Sequence, residues 1–341
     1  MMMNAEGPSR DANCPPRGAA QQREPQTWGG HATEPLAFAG LRGTLARDEP
    51  LGRHTSWRVG GPADLLYSPA DRDDLAHFLR ELPSHVPVTV IGLGSNLLVR
   101  DGGIRGAVVL LHDPGAALAV ADGLVYADAG VASPKLARFA ALHGCAAAEF
   151  LAGIPGTVGG ALAMNAGCYG GETWTYVARV EALSRDGAFD VRTAADYRIG
   201  YRSVTHDDGR ALADVFTAAW FRFPQGDVAT GRNRIKALLA RRIATQPLAL
   251  PNAGSVFRNP PGDHAARLIE ACGLKGHRIG GASVSTLHAN FIVNEERHAS
   301  AADVEALIAH VRGVVHADTG VLLEPEVRML GESGSVGKGP R

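Results

Sequence analysis

The stretch Leu250–Pro261 has the residue types and spacing of a small catalytic loop. Its central Asn and Gly residues tolerate a positive φ, and prolines on both sides disfavour a helix. Ser255 follows Gly254 directly, and Arg258 and Asn259 come shortly after it. A hydroxyl on a constrained loop beside a cation and an amide predicts a proton donor or a nucleophile. The alternative is a plain turn that leads into a strand and exposes a serine, since most serine-containing turns do no chemistry.

Two further segments carry charged side chains suited to a reaction centre. Arg202 follows a tyrosine, and its planar guanidinium can bind a carboxylate through two hydrogen bonds. Near the C-terminus we predict a strand over Val321–Leu330, in which alternation places Glu324, Glu326 and Arg328 on one face. Carboxylates on a face that lines a cleft would serve acid–base catalysis. The alternatives are a surface arginine and a solvent-exposed strand face.

Two glycine-rich segments predict close contact between the backbone and a ligand. The first, Gly92–Asn96, follows a predicted buried strand, and its small residues would let backbone N–H groups approach a phosphate. The second, Gly153–Gly160, has more glycines than a plain loop needs and continues to Asn165. A tight turn after a strand and a close-packed turn before a helix are the alternatives. Leu97 stands where the dinucleotide-binding fingerprint requires a third glycine, so that motif is absent.

Composition excludes several classes of protein. The 341 residues, 45% of them hydrophobic and 20% charged, predict a globular chain of two or more domains. A net charge of -1 gives no general attraction to nucleic acid or to an anionic membrane, and no apolar run is long enough to span one. The histidines lack metal-binding spacing and no GxSxG occurs, so we predict no metal site and no serine hydrolase. Scattered cysteines and the lack of a secretory signal predict a reducing, cytoplasmic location.

Hydrophobic periodicity predicts an irregular mixture of helices and strands around these candidates. Because strand and helix do not alternate cleanly, we predict the α+β class rather than a doubly wound sheet. The main predicted elements are a helix over Asp71–Leu82, a strand over Val88–Ile91, a hairpin over Leu118–Asp128, a basic helix over Arg232–Ala244, and a last helix with a capping box formed by Ser300 and Asp303.

Changes in composition divide the chain into four parts. Residues 1–45 are rich in Pro, Gly, Gln and Arg without sustained periodicity, which predicts a disordered extension. A first domain is predicted over residues 46–224 and a second over residues 225–332, with the Pro-Gln-Gly at 224–226 as the boundary. Residues 333–341 are predicted to be a loose polar tail.

Taken together along the chain, these segments resemble the UDP-N-acetylenolpyruvoylglucosamine reductase (MurB) family, which comprises flavoenzymes of bacterial cell-wall precursor synthesis. The resemblance covers the chain from about residue 50 to residue 330, and so many motifs in one order make it specific. The lack of an obvious tyrosine-bearing insertion resembles the shorter of the family's two architectural classes. The matching segments are His54–Ala63, Gly92–Val99, Gly153–Gly167, Gly200–Ser203, Pro251–Pro260, Gly280–Asn294 and Leu323–Arg328.

The resemblance implies an FAD-binding domain of the vanillyl-alcohol-oxidase (PCMH) type, followed by a smaller α+β substrate-binding domain. It implies that NADPH reduces the flavin. The reduced flavin would then pass hydride to the enolpyruvyl ether of a UDP-sugar, which gives UDP-N-acetylmuramate.

The resemblance also implies roles for individual residues. Ser255 is expected to be the proton donor, and Arg202 with Glu326 is expected to polarise the substrate carboxylate and stabilise the developing enolate. Preorganised donors are what such a negative charge needs. The residues expected near the substrate are Tyr201, Asn259 and Arg328. The residues expected at the flavin are Gly92, Gly94, Ser95, Asn96, Gly153, Ile154, Pro155, Gly156, Gly159, Gly160 and Asn165.

Two departures from the family pattern concern the flavin side. Leu93 stands where a glycine is common, and Cys168 replaces a small residue. Two other functions stay open at this stage. A different flavin oxidoreductase on the same fold would not need Ser255, Arg202 and Glu326 together, and a non-enzymatic nucleotide-binding module would bind no flavin.

Overall fold

The structure is a computed structural model that describes residues 27–28, 31–32, 38–113 and 115–334. The chain forms two units, residues 1–37 and residues 38–341. In the first unit, strands β1 (Thr27–Trp28) and β2 (His31–Ala32) pair antiparallel. Most of the predicted extension over residues 1–45, and nearly all of the predicted tail, lie outside the described residues.

Within the second unit, strands and helices follow one another irregularly. The strands are β3 (Thr44–Pro50), β4 (Pro62–Ser68), β5 (Val88–Ile91), β6 (Leu97–Val99), β7 (Ile104–Leu110), β8 (Leu118–Ala121), β9 (Leu124–Asp128), β10 (Gly167–Cys168), β11 (Gly171–Glu172), β12 (Val177–Leu183), β13 (Phe189–Arg192), β14 (Tyr197–Gly200), β15 (Ser203–His206), β16 (Val215–Phe221), β17 (Arg278–Ile279), β18 (Ala282–Val284), β19 (Ile292–Val293) and β20 (Arg328–Leu330). The helices are α1 (Arg72–Glu81), α2 (Ser133–Leu142), α3 (Val158–Ala163), α4 (Val228–Thr245), α5 (Ala265–Ala271) and α6 (Ala301–Thr319), with short 3₁₀ turns at Leu51–Arg53, Glu149–Gly153, Thr173–Tyr176 and Ala194–Asp196.

The first glycine-rich segment directly follows β5, an edge strand of a mixed four-stranded sheet of order β3-β4-β7-β5. Strand β4 is buried along nearly its whole length and pairs parallel with β7, as expected for a strand covered on both faces. Helix α1 connects β4 to β5 and packs on the sheet through Phe78, whose ring centroid lies 4.3 Å from that of Tyr67. The predicted strand over Val88–Ile91 and the predicted first helix are both present, the helix being one residue shorter at each end.

The buried carboxylate of Asp74 joins the start of α1 to the segment before β3. It accepts hydrogen bonds from the backbone N–H groups of Arg42, Gly43 and Ala70 and from the Tyr67 hydroxyl. Burial alone would raise the pKa of Asp74, but these donors outweigh it and hold the pKa below its ordinary value of 3.8. The carboxylate therefore stabilises the fold only while it is ionised.

We expect Asp74→Asn to lower the free energy of unfolding by about 2 kcal/mol at pH 7, since the amide cannot satisfy all of these donors. The folded-state pKa is lowered, so the contribution is complete above 3.8 and is lost as the pH falls through the folded-state value. Urea unfolding at pH 7 and at successively lower pH measures this difference. Asp73→Asn, an exposed neighbour on the same helix, should change stability by less than about 0.5 kcal/mol. An equal loss in both variants would contradict the prediction.

A five-stranded antiparallel sheet of order β13-β12-β16-β9-β8 forms the second layer. The predicted hairpin over Leu118–Asp128 is present, and its turn residues Asp122 and Gly123 have φ values of 51° and 72°. Both values are positive, as a two-residue turn of this type requires. Helices α2, α3 and α4 contribute to the same apolar core, α4 through Ile235. The predicted domain boundary at residues 224–226 stays a prediction.

The C-terminal part packs the small antiparallel sheet β17-β18-β19 against α5 and α6. Trp57, which comes from the segment between β3 and β4, is fully buried in this core. Its indole N–H donates to the carbonyl of Ile292 at 2.7 Å. At the start of α6, the predicted capping box between Ser300 and Asp303 is present.

The predicted strand over Val321–Leu330 is wrong in extent, because only Arg328–Leu330 forms a strand, paired parallel with β6. Pro325 makes a single bridge with Phe257, and a proline cannot donate to a continuous ladder. The expected common face is also wrong: the side chain of Glu324 is 73% exposed and that of Glu326 only 13%.

The described architecture is α+β, as predicted, with sheets of mixed and antiparallel pairing and helices on their faces. In the part of the chain that the structure describes, no helix has both the length and the apolar character needed to cross a bilayer.

Candidate active site

A cavity of about 250 Å³ is bordered by both glycine-rich segments, the Ser255 loop and the segment before β20. A second cavity of about 440 Å³ shares part of this lining. The predicted site residues that line the first cavity are Gly92, Gly94, Ser95, Asn96, Gly153, Ile154, Pro155, Gly156, Gly160, Arg202, Ser255, Glu326 and Arg328.

The first glycine-rich segment is held at the end of β5 by a close backbone contact. Gly94 has a φ of 61°, and a Cβ atom there would lie 2.1 Å from the carbonyl oxygen of His54. The carbonyl of Gly94 accepts a hydrogen bond from the Ser56 N–H at 3.1 Å. A residue with a side chain at position 94 would therefore push this segment away from its support.

The second glycine-rich segment packs directly against the first. It leads into α3, whose N-cap Thr157 accepts a hydrogen bond from the N–H of Gly160 at 3.3 Å. A Cβ atom at Gly92 would lie only 2.4 Å from the Thr157 hydroxyl oxygen. The two segments therefore form one continuous wall of the cavity.

Two residues expected at the flavin do not line the cavity. The Gly159 N–H donates to the carbonyl of Ala129 at 2.9 Å, so this glycine packs toward the five-stranded sheet. Asn165 is buried, and its amide donates to Glu172 and to the carbonyl of Gly200. Asn165 thus supports the hairpin β14–β15, and its expected flavin contact stays a prediction.

Arg202 occupies the two-residue turn of the hairpin β14–β15 and has a left-handed backbone with φ 53°. Non-glycine residues rarely adopt this conformation, and where they do it is often at a functional site. One guanidinium nitrogen, Nη2, donates to the carbonyl of Gly167 at 3.0 Å. The Nε atom lies 2.7 Å from Oε1 of Glu326, but its N–H is not aimed at an acceptor. The contact is therefore an ion pair rather than an aligned hydrogen bond.

Glu326 is a largely buried carboxyl group at the cavity wall. Burial raises the pKa of Glu326 above its ordinary value, although the nearby Arg202 and Arg258 act in the opposite direction. A carboxyl group with a raised pKa retains its proton to a higher pH.

The backbone places Ser255 next to Glu326. Gly254, with φ 75°, makes the turn before the serine, and its N–H donates to the side chain of Asn252 at 2.9 Å. One residue later, the carbonyl of Val256 accepts from the N–H of Glu326 at 2.7 Å. Ser255 is half-buried and lines the cavity. The serine and the carboxyl group thus border one space.

Hydrogen bonds join the segment of Glu326 to the first glycine-rich segment. The Asn96 side chain donates to the carbonyl of Glu326 at 3.2 Å, and the N–H of Arg328 donates to the carbonyl of Asn96 at 3.0 Å. Two hydrogen bonds therefore join the first glycine-rich segment, which is expected at the flavin, to the segment that carries the expected acid–base residue Glu326.

The three residues expected near the substrate lie in different environments. Arg328 lines the cavity, whereas Tyr201 is 53% exposed outside it and lies within cation–π distance of Arg202 and Arg258. The side chain of Asn259 accepts from the N–H of Ala265 at the start of α5. Asn259 therefore supports a helix end in the structure, and its expected substrate contact stays a prediction.

Sequence reasoning missed several residues that line the cavity, above all Arg242 and Gln246 near the end of α4. The Arg242 Nε donates to Gln246 Oε1 at 2.8 Å. Their spacing of four residues directly before Pro247 was a usable signal, because such a pair faces one direction at a helix end. Cys168 also lines the cavity, and its sulfur lies 2.6 Å from where a Cβ atom on Gly153 would be.

Two family models match most of the chain. Residues 63–190 match the family model described as FAD binding domain, and residues 246–330 match the one described as UDP-N-acetylenolpyruvoylglucosamine reductase, C-terminal domain. A reductase of that name from Thiobacillus denitrificans is 56% identical over 306 residues, which cover 86% of this chain and 94% of that protein. One from Methylococcus capsulatus is 56% identical, with 86% and 95% covered.

A solved structure gives the same result at the level of the fold. The crystal structure of the reductase from Thermus caldophilus matches with a TM-score of 0.70 and 32% identity, covering 85% of this chain and 99% of that one. The chain therefore belongs to the UDP-N-acetylenolpyruvoylglucosamine reductase (MurB) family.

Proposed function

We propose that this protein reduces UDP-N-acetylenolpyruvoylglucosamine to UDP-N-acetylmuramate, with FAD as the bound cofactor and NADPH as the reductant. The observation that carries the proposal is that Ser255, Arg202 and Glu326 border one cavity together with the two glycine-rich segments. The reaction supplies a precursor of peptidoglycan. We also propose a cytoplasmic location on the basis of cysteine spacing, and no nucleic-acid or membrane partner on the basis of the net charge of -1.

The residues present fit FAD. Glycine and alanine make up much of the cavity lining, so a planar ring can approach the backbone closely. The residues that would hold the cofactor are those of Gly92–Asn96 and Gly153–Gly156. Bound FAD would supply hydride-transfer chemistry between NADPH and the enolpyruvyl double bond.

The chain's own side chains would handle charge and the proton. Arg202 and Glu326 together would polarise the substrate carboxylate and stabilise the negative charge that develops beside it. The Ser255 hydroxyl would deliver the proton to carbon. A hydroxyl is a weak acid, so these preorganised neighbours are needed to make its proton transfer feasible.

The deciding experiment measures NADPH oxidation by the purified flavoprotein with and without the enolpyruvyl UDP-sugar. We expect steady turnover only when this substrate is present. Bound flavin without turnover would favour a different flavin oxidoreductase. A colourless protein that cannot be reconstituted with FAD would favour a non-enzymatic nucleotide-binding module.

We expect Gly94→Ala to lower flavin retention at least tenfold, because the new methyl group would meet the carbonyl of His54 and displace the wall. The ratio of flavin absorbance to protein absorbance after gel filtration measures retention. Gly313→Ala in α6 is the matched control, since its Cβ atom would meet nothing within 4 Å. Full flavin content in both variants would contradict the role given to the first glycine-rich segment.

A further inference from the structure

Helix α4 concentrates positive charge on one element of a chain that is nearly neutral. Its 18 residues include five cations and no acidic side chain, whereas the whole chain has a net charge of -1. Gly231 and Ile235 face the apolar core. The helix is thus anchored by one face, and its exposed cations lie outside that face.

Four of these cations, Arg232, Arg234, Lys236 and Arg241, are exposed. Within the described part of the chain, no salt bridge joins any of the four to an acidic side chain. Some arginines elsewhere are paired with carboxylates, as Arg278 is with Glu295 and Glu296. Because no neighbouring carboxylate among the described residues neutralises these four cations, their electrostatic field extends into the solvent.

The fifth cation, Arg242, connects this charge to the site. It lines both cavities, and the larger one is also lined by Arg53, Arg58 and two histidines, with no Asp or Glu in its lining. Glu49 lies 3.1 Å from His54 and offsets part of this charge from outside the lining. A series of cationic side chains thus runs along α4 and ends with Arg242 at the cavities.

We propose that this positive surface, made of the exposed cations of α4 together with the arginines of the larger cavity, collects anionic nucleotides and directs them to the active site. The inference rests on the proposed function, in which both NADPH and the UDP-sugar carry several negative charges. A cleft lined by one sign of charge raises the local concentration and association rate of an opposite charge by about 10- to 1,000-fold. The effect weakens as salt shortens the screening length.

The test removes charge without touching the cavity. Arg234→Gln/Arg241→Gln neutralises two exposed cations that lie seven residues apart, on one side of the helix. Arg232→Gln/Lys236→Gln removes two charges that lie about 15 Å and about 9 Å along the helix from Arg242, which is on average further away than the first pair. Arg297→Gln, an exposed arginine that lines neither cavity, is the control. For each protein, kcat and kcat/KM for NADPH and for the UDP-sugar are measured from 10 mM to 500 mM KCl.

We expect the Arg234/Arg241 double variant to lose about tenfold in kcat/KM at the lowest salt, to keep its kcat, and to converge on the parent at the highest salt. The Arg232/Lys236 double variant should lose less, and Arg297→Gln should not differ from the parent. Salt dependence equal to that of the parent in both double variants would overturn the steering role while leaving the proposed function intact. No turnover of the parent at any salt would overturn both.

Discussion

Replacing Ser255 by alanine is expected to slow reduction of the UDP-sugar by about 10²- to 10⁴-fold, the usual contribution of a positioned acid. Flavin reduction by NADPH should continue at nearly the parental rate, because hydride transfer between two cofactors needs no proton from this serine. The backbone around Ser255 is fixed by the Asn252 turn and by the bond between Val256 and Glu326, so alanine should leave the loop in place. Stopped-flow measurement of the two half-reactions separates the effects.

Ser255→Cys provides the comparison for this prediction, since a thiol of similar size also carries a proton. It should recover part of the activity that alanine loses. If alanine slows both half-reactions equally, Ser255 positions the cofactor or the loop and is not the proton donor. Unchanged flavin absorbance in each variant confirms that the cofactor is retained.

Replacing Arg202 by glutamine should lower kcat for the UDP-sugar by about 10²- to 10³-fold, comparable to removing one preorganised donor from a site of developing negative charge. The change also removes the partner that lies 2.7 Å from the Glu326 carboxylate. Arg202 lowers the pKa of Glu326 against the effect of burial, so its loss should raise that pKa further. In the residual activity, the titration assigned to Glu326 should therefore move to higher pH.

Arg198→Gln is the matched control for Arg202, because Arg198 lies in the same hairpin and its side chain donates to the carbonyl of Asp207 rather than entering the cavity. It should retain near-parental kcat and an unchanged pH profile. If Arg202→Gln raises KM without lowering kcat, Arg202 contributes only ground-state binding. A titration that moves to lower pH would contradict the assigned pairing with Glu326.

Local elements were predictable because their causes lie within a few residues. The Asp122-Gly123 turn needs two positive φ values, and the observed angles are 51° and 72°. The capping box at the start of α6 needs only Ser300 and Asp303, three residues apart. Alternation over Val321–Leu330 predicts too long a strand, because it runs through Pro325, which cannot donate to a ladder.

The types of chemistry available can be read from the amino-acid sequence: a hydroxyl on a glycine turn, a guanidinium, a carboxyl group and two segments able to admit a flat ligand. Which of these groups meet depends on the packing of elements that are distant in the sequence. Asn96 and Glu326 are 230 residues apart in the sequence, yet a hydrogen bond joins their segments. In the tertiary structure the buried side chain of Asn165 likewise supports a hairpin and does not line the cavity. Local conformational preferences extend over only a few residues, whereas such contacts depend on how whole elements pack. The same packing buries Glu326 and thereby raises the pKa of its carboxyl group.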